Sequence, residues 1–128
     1  MDAAQALADL TEISSQVESA VLFDEGGEVT ASTLPAAAAA ALAGAAGELL
    51  ERAAGLGAGR TVTQVEASTP LGSVFVVREG TRRIAATTVS DPTTGLVFYD
   101  LKSALRGSAP EPKPRRRRTA TAKPDDAA

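Results

Sequence analysis

Apolar positions recur along this chain with two different periods, and the switches between periods mark its elements. Ala3, Ala6, Leu7, Leu10, Ile13 and Val17 share one side of a 3.6-residue wheel, with Asp9, Glu12 and Gln16 opposite. That spacing predicts an amphipathic helix running to about Val17 and resting on a core, with Asp2 as its cap. Residues 20–23 (AVLF) form a short continuous apolar run that ends in Asp24, Glu25, Gly26, Gly27 and Glu28. Val29, Ala31 and Thr33 then alternate with Thr30 and Ser32. Two short strands around a Gly-Gly turn predict a β-hairpin.

The longest element covers 35–59, PAAAAAALAGAAGELLERAAGLGAG. Ala is the best helix former, and Pro at the first turn gives up only a donor that has no intrahelical partner. Gly55, Gly57 and Gly59 mark the stop. Leu42, Ala46, Leu49, Ala53 and Leu56 form one stripe, predicted to face the core. The opposite side holds Ala37, Ala40, Gly44, Gly47, Glu51 and Gly55, almost bare of side chains. A glycine inside a helix costs roughly 1 kcal/mol against alanine, so Gly44 and Gly47 ask for a reason. Close approach by another backbone is one; drift in an alanine-rich sequence is the other.

Three strand patterns follow. Residues 61–67 (TVTQVEA) alternate apolar and polar with few large groups, as a half-exposed or pairing strand does. Residues 73–78 (SVFVVR) are the most apolar and read as central, and Glu79-Gly80 turns into 82–89 (RRIAATTV). The small residues of that last strand predict close cover by helices. Asp91-Pro92 reads as a cap and first helical position, with Gly95 allowing close packing. Val97, Leu101, Ala104 and Leu105 form the inner stripe of this last helix, with Phe98 at its edge. Tyr99 reads as a partly buried ring with a wet hydroxyl. From Gly107 the pattern stops: 107–128 has four prolines, no large apolar residue and a run of four arginines. The expected organisation is one α+β domain over 1–106 and a disordered Pro/Arg-rich tail over 107–128.

Charge changes this picture in one respect. Residues 1–106 carry 7 Lys and Arg against 13 Asp and Glu, net −6, while 107–128 carry 6 against 3, net +3. An acidic folded part argues against nucleic-acid binding by the domain. The run Arg115, Arg116, Arg117 and Arg118 attracts anionic lipid, nucleic acid or an acidic partner, and Thr119 beside it suits a basophilic kinase. A merely solubilising tail is the other reading.

Candidate chemistry is thin. The 128 residues include no cysteine and no histidine, which removes disulfides, thiolate metal sites and the commonest general base. Gly55-Leu56-Gly57-Ala58-Gly59 resembles a phosphate loop only superficially, because it runs from a helix into a strand rather than from a strand into a helix. The acidic turn 24–28 lacks the ligand spacing of a calcium loop and reads as solvated. The N-terminus MDAAQALADL is acidic and shows no signal peptide, and 36–47 is too short and weakly apolar to span a membrane. The expectation is a cytoplasmic non-enzyme with no cofactor.

The order helix, strand, strand, long helix, three strands, helix resembles the Roadblock (dynein light-chain Roadblock) family. The residues that carry the likeness are 17–33 (VESAVLFDEGGEVTAST), 73–80 (SVFVVREG) and 91–101 (DPTTGLVFYDL). Within the family the sequence is most similar to short bacterial, actinobacterial-type members related to MglB. The resemblance implies a Roadblock/profilin-like, five-stranded antiparallel sheet with the long helix on one face and the two terminal helices on the other. It implies a homodimer formed through the third strand and the long helices, acting as an adaptor or regulator platform for a small Ras-like GTPase without supplying catalytic residues. The surface expected to meet the second copy or the partner comprises Ala40, Gly44, Gly47, Glu48, Glu51, Arg52, Val62, Gln64 and Glu66. Arg115 to Arg118 and Thr119 are the expected contacts of the tail. A dimeric scaffold with no GTPase, and a small-ligand sensor using room left by Ala85 and Ala86, are the alternatives.

Overall fold

The computed structural model describes residues 2–57 and 61–109. Asp2 starts the fold by accepting a hydrogen bond from the Gln5 backbone N–H at 2.8 Å, which caps α1 (Ala3–Ile13). The helix ends earlier than its periodicity suggests. The Ser14 N–H closes on the Leu10 carbonyl, the backbone turns extended, and Val17 opens β1 (Val17–Asp24) opposite Thr88. Val17 is buried, as a core-facing residue of either element would be, so its hydrophobicity did not distinguish helix from strand.

β2 (Val29–Ser32) returns after a turn in which Gly27 has φ +87°, and Asp24 accepts hydrogen bonds from the N–H groups of Gly26 and Glu28. Then come α2 (Ala36–Ala54), β3 (Gln64–Thr69), β4 (Gly72–Glu79), β5 (Arg82–Thr88) and α3 (Thr94–Gly107). The strands form one antiparallel sheet in the order β2-β1-β5-β4-β3. β1, β5 and β4 are therefore interior and β2 and β3 are edges. Gly72 is required where β4 begins: a Cβ there would lie 2.3 Å from the Thr88 carbonyl oxygen.

Each face of the sheet has its own core. On one, Leu7 and Leu10 of α1 and Val97, Phe98, Leu101 and Leu105 of α3 pack on Leu22, Phe75, Val77 and Ile84. Phe75 and Phe98 meet edge to face with centroids 4.9 Å apart. On the other, Ala39, Ala43, Ala46 and Leu50 of α2 cover Val21, Phe23, Val76 and Ala85. This is the expected arrangement of one long helix opposite two terminal ones.

Four local expectations are corrected. The inward line of α2 is Ala39, Ala43, Ala46 and Leu50, not the predicted Leu42–Leu56 stripe, of which only Ala46 is fully buried. Alanines let the helix lie close on the sheet, and Leu42 and Leu49 pack from its flank. Asp91 does not cap α3: it sits at φ +56°, and the helix begins at Thr94 after Thr93 as N-cap. Tyr99 is 68% exposed rather than half-buried, and a Cβ on Gly95 would meet nothing, so that glycine serves no close packing. Arg115 to Arg118 and Thr119 lie outside the described residues, as does the end of the expected glycine-rich stop. Among the described residues, no helix is long and apolar enough to cross a membrane.

Candidate functional site

The direction of α2 decides which of its residues can act together. Its C-terminal half lies beside the β1–β2 turn at one end of the sheet, where β3 also begins. On the helical wheel, Gly44 and Gly47 fall on one flank of the buried Ala39–Leu50 line and Leu42 and Leu49 on the other. The glycine flank faces Asp24, Glu25, Gly26 and Gly27 of the turn. The leucine flank therefore faces β3, and Leu42 and Leu49 share a cluster with Val62, Val65 and Val74.

The nine residues expected to form one interface consequently fall on separate surfaces. Ala40, Gly44, Gly47 and Glu51 lie on the flank turned from β3. Glu48 points outward and is held by Arg52 at 3.0 Å, an exposed (i, i+4) ion pair of the kind that contributes little to stability. Val62 precedes β3 and packs beneath the leucine flank. Gln64 and Glu66 alternate onto the opposite face of the sheet, where Glu66 accepts a hydrogen bond from the Thr94 hydroxyl at 3.3 Å. Membership of a strand or helix says nothing of the face each side chain takes.

What adjoins the β3 edge instead is apolar. β3 pairs with β4 alone among the described residues, so one side of its backbone presents unpaired donors and acceptors. Beside it run half-buried Leu42, Leu49 and Val65, and just past the helix end Leu56 is 89% exposed. Leu42, Leu49 and Leu56 form a stripe in the sequence, and in the fold that stripe lies at the flank of α2 and not on the chain's own core.

Two concave sites lie among the described residues. A groove of about 330 Å³ separates α2 from the β1–β2 turn, with Phe23 and Ala43 among its lining residues, Gly44 and Gly47 on its helix side, and Asp24, Glu25, Glu48, Glu51 and Arg83 around it. The Arg83 Nε is buried without a hydrogen-bond partner. A second groove of about 350 Å³ runs between α1 and α3, lined by Ala6, Leu10, Ile13, Tyr99 and Ala104 with Asp9 and Asp100 at its margins. Burial raises the Asp100 carboxyl above its ordinary 3.8. Ala85 and Ala86 line neither groove: both are fully buried between sheet and helices, so the room they were expected to leave is filled. Among the described residues, no three acidic side chains converge in a way that would hold a metal ion.

Neither a protein-family model nor a curated protein matches the sequence. Solved structures do match the fold. A Roadblock/LC7 domain from Streptomyces avermitilis aligns with TM-score 0.74 and 23% identity over 84% of this chain and 94% of that one. MglB of Myxococcus xanthus aligns with TM-score 0.68 and 15% identity over 81% and 89%. A structure described as MglB with tetrameric arrangement aligns with TM-score 0.66 and 17% identity over 84% and 85%.

Proposed function

Starting from the Roadblock/LC7 fold, we propose that this chain is a self-associating, non-enzymatic adaptor or regulator of a small Ras-like GTPase. The observation that carries the self-association is the continuity of an unpaired β3 edge with the apolar flank of α2. Two copies meeting edge to edge would join their sheets through backbone hydrogen bonds and lay Leu42, Leu49 and Leu56 of one α2 toward the other. This is a self-complementary contact of the kind a two-fold axis makes. MglB, which shares the fold, has been seen in a tetrameric arrangement, which supports association as the working state. The role toward a GTPase follows from the same likeness. A platform needs a shaped surface and no nucleophile or base of its own, which agrees with a chain that has neither histidine nor cysteine.

Immobilised full-length chain should retain a Ras-like GTPase from the same organism, with different affinities for its GDP and GTP-analogue forms. Equal retention of both forms, or none, would exclude a regulator that senses the switch. Association without GTPase binding would leave a scaffold.

A further inference from the structure

Two features that the proposed assembly leaves unused meet at one end of the sheet. The first is the groove between α2 and the β1–β2 turn. Its helix wall is bared by Gly44 and Gly47, and a Cβ at either would touch nothing within 4 Å. No contact within the described chain therefore explains either glycine, although each costs roughly 1 kcal/mol against alanine in a helix. Around the groove stand four carboxylates, Asp24, Glu25, Glu48 and Glu51, against the one guanidinium of Arg83. Asp24 is occupied by the turn's N–H groups and Glu48 by Arg52. Glu25 and Glu51 have no basic partner among the described residues. The groove thus combines room for a second backbone with unneutralised negative charge.

The second feature is the place where the chain leaves the described structure. Arg82 lies opposite Asp24 in the β1–β5 register. Its guanidinium donates to the Leu105 carbonyl oxygen at 2.8 Å and also to the Ser108 hydroxyl. The end of α3 is therefore fastened to the same end of the sheet that carries the β1–β2 turn. Beyond Ala109 the sequence continues through Pro110, Pro112 and Pro114 to Arg115, Arg116, Arg117 and Arg118. In the extended form that closely spaced prolines favour, the six steps from Ala109 to Arg115 reach about 19 Å. A layer about 10 Å from the sheet on each face puts the α2 side about 20 Å from the α3 side, so Arg115 comes level with it and Arg118, about nine steps out at about 28 Å, passes it.

We propose that the arginine run of this chain docks in cis into the acidic groove between α2 and the β1–β2 turn. Its backbone crosses over Gly44 and Gly47, and its guanidinium groups meet Glu25 and Glu51. Arginine suits the task because its planar fork pairs with carboxylates through two parallel hydrogen bonds. The α1–α3 groove is the poorer receptor: its walls are mostly apolar, and residues 107–128 have no large apolar side chain to fill it. Docking of this kind is released by salt, and by phosphorylation of Thr119, which adds about −1.5 to −2 charge beside the arginines.

The chain has no cysteine, so Thr121→Cys in the full-length protein carries a single nitroxide. Paramagnetic broadening should concentrate on the amide signals of Glu25, Gly27, Gly44 and Gly47. It should be lost at about 1 M salt, where charges are screened beyond roughly 3 Å. It should also be lost when Arg115 to Arg118 are all changed to Glu, and weakened by Glu51→Lys, an exposed position whose change leaves the remaining spectrum in place. Broadening centred on Ala6 and Ser103, broadening insensitive to salt, or none above that of the charge-reversed tail would overturn the proposal. So would broadening seen only between differently labelled chains, which would give the groove to the tail of another copy.

Discussion

The two faces of the sheet are built from different material. Under α1 and α3 the contacts are made by large side chains: Leu7, Leu10, Phe75, Ile84, Phe98, Leu101 and Leu105 close on one another, most of them almost fully buried. Under α2 the helix contributes three alanines and one leucine to its buried line, and its larger residues, Leu42 and Leu49, sit half out at the flank. Burial is worth about 25 cal/mol per Å² of apolar surface, so the first face holds most of the driving force for folding. The second holds α2 close to the sheet with little side-chain mass between them. It leaves apolar surface beside an open strand edge. One face stabilises the chain, and the other carries the surface proposed for association.

The sharpest way to break this contrast is to truncate one residue on each side. Phe75→Ala should lower unfolding stability by about 3–5 kcal/mol, because it empties the centre of the α1–α3 core and removes the contact with Phe98. Ala43→Gly on the other face should cost about 2 kcal/mol. Roughly 1 kcal/mol of that comes from helix propensity and a similar amount from the lost buried methyl. Urea unfolding midpoints of the two variants measure the difference. Equal losses would mean that the faces share the load.

How much of this could be read from the sequence depends on what each pattern encodes. Element order was legible because period 2 and period 3.6 alternate cleanly between turn signals such as Gly26-Gly27 and Glu79-Gly80, whereas the setting of two helices against one came from the likeness to the Roadblock family and not from the periods. The rotation of α2 was not. In a run of alanines the wheel gives weight to leucine, and Leu42, Leu49 and Leu56 drew the predicted core stripe away from the Ala39–Ala43–Ala46 line that actually lies on the sheet. The candidate surface is divided between faces for a related reason. Gly44 and Glu66 are on elements that can both contribute to association, yet one borders the β1–β2 turn and the other is tied to Thr94 on the opposite face. Only the three-dimensional register separates them. Asp91-Pro92 carries a cap signal, but the backbone at Asp91 is left-handed and the helix starts two residues later than that signal places it, at Thr94.

A smaller effect sharpens the same contrast from the α1–α3 side. Burial raises the Asp100 carboxyl above 3.8, so the folded chain holds that proton more tightly than the unfolded one. The resulting penalty is absent below the ordinary carboxylate value and grows as pH rises through the raised one. Asp100→Asn should therefore raise the melting midpoint slightly at neutral pH and leave it unchanged in acid. A midpoint raised equally at both pH values would assign the effect to something other than this carboxyl.

In the proposed assembly the leucine flank of α2 beside β3, and not the glycine flank, joins two copies. Light scattering on the full chain at low micromolar concentration tests it with two substitutions, Leu49→Glu at a half-buried flank position and Gly44→Lys at an exposed one. The expected result is a two-chain mass for the unaltered protein and for Gly44→Lys, and a one-chain mass for Leu49→Glu with its fold intact by circular dichroism. A two-chain mass that survives Leu49→Glu, or that is lost with Gly44→Lys, would contradict it.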